Sequence, residues 1–177
     1  SDLIEKSVID NASEWALMVL LALIGISLRN SGIALREILL NKSGMQIAVT
    51  VMLTSWLGGV AAAKIIGLPL IHGLAVSSGF GWYSLSGILI SDGISPILGA
   101  VALINDLGRE LVAIFVIPLL INAKRHSAIG IGGATSMDFT LPIIQKTGGS
   151  DAVPIAIVSG FILSIMAPLC MLFFINF

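Results

Sequence analysis

Four apolar runs take up most of this chain, at residues 15–28, 45–66, 96–121 and 153–177. The last three reach the roughly 20 residues that a helix needs to cross a bilayer, and the first is short for one. Hydrocarbon offers a backbone no water to bond, so runs of this kind are committed to helices that pair their own N–H and C=O groups. Composition agrees: 11% of residues are charged and 56% hydrophobic, with a mean hydropathy of +1.05, whereas soluble domains are about a quarter charged. The expected fold is an all-α membrane protein with about four transmembrane helices, forming a single domain over residues 15–177. Residues 1–14 carry Asp2, Glu5, Asp10 and Glu14 against Lys6 alone. They read as a polar lead-in, neither signal nor transit peptide, to a piece of something longer.

Two polar stretches broken by glycine interrupt this pattern: Gly79-Phe80-Gly81-Trp82-Tyr83-Ser84-Leu85-Ser86-Gly87, and Gly132-Gly133-Ala134-Thr135-Ser136-Met137-Asp138-Phe139-Thr140-Leu141-Pro142. Irregular backbone at membrane depth is tolerated only where it is buried in protein or lines a wet cavity, so such breaks mark a place where a solute is handled. The arms on either side of each break are too short to cross, which predicts two re-entrant hairpins. Arg29, Arg36 and Lys42, and later Lys124, Arg125 and His126, place their loops on the cytoplasmic side and both chain ends outside. A hairpin followed by a span then occurs twice, over residues 68–122 and 127–176, with the first copy entering from outside and the second from the cytoplasm. That is an inverted repeat, a recurrent architecture for alternating access.

Several function classes are disfavoured. A net charge of −1 provides no basic footprint for nucleic acid. Cys170 is the only cysteine, so no intrachain disulfide forms. His72 and His126 are too few and too far apart for a metal cluster. No G-x-x-x-x-G-K-[ST] string is present for nucleotide, and no cofactor is expected.

The breaks belong to longer strings: Asn30-Ser31-Gly32, the stretch from Ser78 to Gly87, Asn105-Asp106-Leu107-Gly108-Arg109-Glu110, and the stretch from Gly130 to Pro142. In these strings and their order the chain resembles the LysO-type lysine exporters over nearly all of its length from Trp15. The resemblance implies a non-enzymatic secondary transporter in a bacterial or archaeal cytoplasmic membrane. It would export L-lysine, or close cationic analogues such as thialysine, by proton antiport or with Na+ as the coupling ion. Members of that family are longer, with further membrane segments before this region. The chain is therefore expected to be a C-terminal portion that partners those N-terminal segments, with a homodimer as a further partner state.

An exporter of lysine must shield two ammonium groups and a carboxylate from water, so it needs acids, dipoles and a cation or helix N-terminus. Asp138 lies among backbone breaks with Thr135, Ser136 and Thr140 nearby, and is expected to bind the cationic solute or carry the coupled proton. Its structural alternative is a turn residue that satisfies freed backbone amides. Asp106, Arg109 and Glu110 share one helical face; an Asp106–Arg109 pair would neutralise itself, leaving Glu110 as the acid free to exchange a proton. Arg109 is alternatively the bidentate holder of the solute carboxylate. Trp82, Tyr83 and Ser84 offer a ring face and hydroxyls to an ammonium, or ordinary packing. Asn105 binds a polar group or caps a broken helix. A competing reading, an intramembrane serine hydrolase, rests on Ser84-Leu85-Ser86-Gly87 with His72 as the base and requires the serine and the base within hydrogen-bond reach; a third makes the chain a non-transporting fragment or subunit of a larger transporter.

Overall fold

The computed structural model describes residues 41–177 and, ahead of them, Ile26 alone. The polar lead-in, the rest of the run at 15–28 and Asn30-Ser31-Gly32 lie outside the described residues. Residues 41–177 belong to one compact unit, Leu39–Phe177, and are mainly helical, with no strand among the described residues.

Three long helices frame the unit. α1 (Lys42–Ile66) begins where Asn41 Oδ1 accepts the Gly44 N–H at 2.9 Å and closes with the Gly67 N–H returning to Ala63. Side-chain capping of this kind satisfies one of the amides left open at a helix start. Pro69 follows and starts α2 (Leu70–Ser77), and α3 (Tyr83–Gly93) lies beyond the first glycine break. α4 (Pro96–Leu120) opens with proline in its first turn and Ser95 accepting the Leu98 N–H at 3.3 Å. α5 (Arg125–Gly132), a 3-10 turn (Gly133–Met137) and α6 (Leu141–Gly148) make up the second broken segment, and α7 (Ala152–Ile175) ends the fold. α1 and α7 are long and apolar enough to cross a bilayer. α4 has the same 25 residues as α1, about 37 Å at 1.5 Å per residue, but carries three charges at its centre.

Directions follow from contacts. Gly44 near the start of α1 meets Ile155 and Val158 near the start of α7, and Trp56 meets Phe174 edge-on at 5.8 Å, so α1 and α7 run parallel. Ile121, just past α4, packs on Gly148, which also abuts Ala152, so α4 runs the opposite way. Gly73 of α2 sits against Gly59 and Ala63, and Trp56 Nε1 donates to Ser78 Oγ at 2.9 Å. α2 thus descends along the second half of α1. α3 climbs back along α4, with Ser86 beside Asp106, Gly87 beside Leu103 and Ser91 beside Gly99. In the second broken segment, Arg125 Nη2 donates to Gly148 O at 3.4 Å, so its two ends meet.

Two helix–break–helix hairpins therefore enter the unit from opposite ends. Their tips meet at mid-height, where the Ala134 N–H donates to Phe80 O at 2.9 Å. Lys42, Lys124, Arg125 and Lys146 lie at one end, while Lys64 and Asp92 lie toward the other. Apolar side chains face outward on α1 (Leu53, Leu57, Ile65) and α4 (Ile97, Ile104, Phe115, Leu119). The core is aliphatic, with Ile90, Ile117, Ile129, Ile144, Leu163 and Met171 buried.

Candidate functional site

The middle of α4 is where charge meets the hairpin tips. Ala102, Asp106, Glu110, Ala113 and Ile117 form its buried stripe, the three-and-four spacing that puts side chains on one helical face. Asp106 and Arg109 feel each other's charge, while among the described residues their hydrogen bonds run mainly to the two hairpins and not to each other. Asp106 instead turns to the first hairpin. Its Oδ1 accepts the Gly81 N–H at 3.1 Å and Asn105 Nδ2 at 3.4 Å, and its Oδ2 accepts Ser86 Oγ at 2.6 Å. Gly79 makes room for the carboxylate, since a Cβ there would collide with Oδ2 and with Ser86. Arg109 turns to the second hairpin, donating from Nη2 to Gly130 O at 2.8 Å and from Nε to Ile131 O at 3.2 Å. Those carbonyls belong to the last turn of α5, whose negative dipole end favours a cation; Gly130 O also accepts the N–H of the capping Gly133.

Glu110 is 5% exposed, and its Oε2 has no hydrogen-bond partner among the described residues. It lies within reach of the charge of Asp138. A buried acid oxygen left unpaired is costly in free energy, which makes this the group in the site with most to gain from a proton or a bound cation.

The other expected residues fall into two groups. Thr135 Oγ1 donates to Gly132 O, Ser136 Oγ to Gly133 O and Ala156 O, and Thr140 Oγ1 to Thr135 O. All three are buried, and their hydroxyl protons hold the 3-10 turn together. Asp138 is exposed at the end of that turn and accepts the Phe139 N–H, the amide-satisfying role weighed above as its alternative. Trp82 is half-buried, while Tyr83, Ser84 and Asn105 are exposed. Asn105 lines a cavity with Asp106 and Arg109; Trp82, Tyr83 and Ser84 line neither of the two cavities described next. Ser86 gives its hydroxyl to Asp106, with a longer contact to Tyr83 O, and no hydrogen bond joins it to His72 among the described residues. The base that a serine nucleophile requires is not in place.

Two cavities flank the centre. One, of about 780 Å³, lies toward the lysine-rich end between the first half of α1 and the start of α5, lined by Gln46, Thr50, Thr54, Ser55, Arg109 and His126 among others. The other, of about 580 Å³, lies toward the opposite end between the second half of α1, α2 and the first half of α4. Ser55 and Arg109 line both. Ser55, Thr50 and Thr54 were not singled out by the sequence. Among the described residues no cluster of three or more His, Cys, Asp or Glu is arranged to hold a metal.

A family model described as "Lysine exporter LysO" matches residues 2–175. Over 163 residues the chain is 55% identical to "Lysine exporter LysO" of Escherichia coli, an alignment covering 92% of this chain and 54% of that protein. Over 163 residues it is 46% identical to a Haemophilus influenzae protein named "Putative lysine exporter", covering 92% of this chain and 84% of that one. The chain thus spans about half the length of the E. coli relative. No solved structure matches.

Proposed function

This chain belongs to the lysine exporter LysO family, and from that membership and the geometry above we propose that it forms the solute-handling part of a secondary transporter that moves L-lysine out of the cytoplasm. The observation that carries the reading is the pair of cavities. They lie toward opposite ends and share only Ser55 and Arg109 among their lining residues. A solute at that level reaches either side through a small relative movement of the hairpins, which is the requirement of alternating access.

The chemistry divides among the residues as follows. Glu110 and Asp138 take up a proton or the cationic solute in turn, because a buried acid within reach of a second acid does not cheaply stay ionised beside it. The hydrogen bonds of Arg109 to α5 leave other N–H groups of its guanidinium for the solute carboxylate. Asp106, with both oxygens engaged, positions the first hairpin. We read the two hairpins as re-entrant from opposite sides of a bacterial cytoplasmic membrane, with the lysine-rich end in the cytoplasm. Proton antiport is the coupling we favour; Na+ would instead be ligated by carbonyls of the broken segments. Close cationic analogues such as thialysine fit the same groups.

The test is lysine efflux from proteoliposomes under an imposed pH gradient. It is run on this chain alone and on the E. coli relative with its matching segment replaced by this chain. Gradient-driven efflux that falls to background in Glu110→Gln and in Asp138→Asn is the expected outcome. Efflux that ignores the gradient overturns the coupling, and normal transport by both variants overturns the site.

A further inference from the structure

We propose that the cavity-facing side of α1 is a second half of the binding site, an acceptor-lined wall that receives the ammonium groups of the solute, and that Ser55 with Arg109 forms the constriction between the two cavities. The inference rests on the transport reading above and adds residues to it.

Gln46, Thr50 and Thr54 recur every four residues along α1 and so share one face, with Ser55 beside the last. All of them line the cavity at the lysine-rich end. Polar side chains on a membrane helix go to protein or to water, and here they border open space. Their hydrogen bonds determine what they offer to it. Thr50 Oγ1 donates to Gln46 O at 2.7 Å, and Thr54 Oγ1 donates to Thr50 O at 2.8 Å. A hydroxyl has one proton and two lone pairs, so with the proton spent on the helix each threonine presents acceptors. The two threonines thus suit a donor such as an organic ammonium and offer no donor to a carboxylate.

Arg109, which closes the same cavity, is the reverse: it only donates. A zwitterion with a basic side chain is therefore held in one orientation, carboxylate at the guanidinium and ammonium groups along α1. Beyond Ser55 the same face of α1 continues as Gly58, Gly59 and Ala62 in the other cavity. The hydroxyls end at the level where the two cavities meet. Solute that passes Ser55 loses its acceptors on α1 and meets polar side chains only from α2 and α4, so this side of α1 grips on one side of the constriction and releases on the other.

Cysteine accessibility tests this without relying on turnover. In a Cys170→Ala background, Thr50→Cys, Ser55→Cys and Ala62→Cys are exposed to a membrane-impermeant, positively charged thiol reagent in vesicles of either orientation. The position of Thr50 is expected to label only from the lysine-rich end, that of Ala62 only from the other, and that of Ser55 from both. Lysine is expected to slow labelling at the first two named positions. Alongside this, Thr50→Val should raise the KM for lysine about tenfold, equivalent to about 1.4 kcal/mol, with the maximal rate kept, and Thr50→Ser should restore it. Failure of Thr50→Cys and Ser55→Cys to label from either side means protein covers the wall, and overturns the proposal. Labelling that no organic cation slows also overturns it. Protection by a different organic cation but not by lysine keeps the wall and overturns the lysine reading instead.

Discussion

Gly133 has φ +62 and ψ −133, a region of backbone space that only glycine enters cheaply. It also sits where a Cβ would run into Phe80 O and the Arg109 guanidinium, the two contacts that tie the second hairpin to the first and to α4. Gly133→Ala is therefore expected to lose about 1–2 kcal/mol from the backbone term alone, and more from the collision. Gly108, on α4, has nothing within 4 Å of the position a Cβ would take. Gly108→Ala should stabilise its helix by about 1 kcal/mol. Thermal unfolding of the two variants in detergent checks both signs: Tm falls for the first and holds or rises for the second.

α4 acts as a two-sided clamp, with one carboxylate for the first hairpin and one guanidinium for the second. Asp106→Ala strands the Gly81 N–H and the Ser86 hydroxyl, at about 1–3 kcal/mol for each buried group, while Asp106→Asn can still accept the amide. Hydrogen exchange should accordingly speed up over residues 79–86 in Asp106→Ala, stay near native in Asp106→Asn, and speed up over residues 130–137 in Arg109→Ala. Exchange that rises equally in both hairpins for either alanine variant would show that they loosen as one body. The spacing of Asp106, Arg109 and Glu110 was readable in the sequence as one helical face, and the glycine breaks were readable as places where helices stop. The destinations of the charges were not. Apart from Ser86 and Asn105, their partners are backbone groups 21 to 25 residues away, and a peptide N–H or C=O has no residue signature to read. The face of α1 went unnoticed for another reason: threonine and serine barely dent the hydropathy of a span, and only the four-residue spacing from Gln46 signals a wall.

At the scale of the whole molecule, the lysine-rich end and the opposed hairpins give the unit a direction. With that end in the cytoplasm, alkaline phosphatase fused after Phe177 should be active and the same enzyme fused after Lys124 silent, a green fluorescent protein giving the converse pattern. The reverse outcome would invert the assignment of both cavities. The clustered cations made the lysine-rich end itself readable from the sequence alone, whereas the cavities are products of how α1, α4 and α5 lean on one another, which no local pattern encodes. The joint between the tips has a consequence for how such a protein diversifies. Because Ala134 and Phe80 are linked through main-chain atoms, the coupling of the two halves survives most exchanges of side chain around it. Mutation is free to reshape the neighbouring walls while the two hairpin tips stay joined, so the surroundings of this joint can diverge without the joint itself being rebuilt.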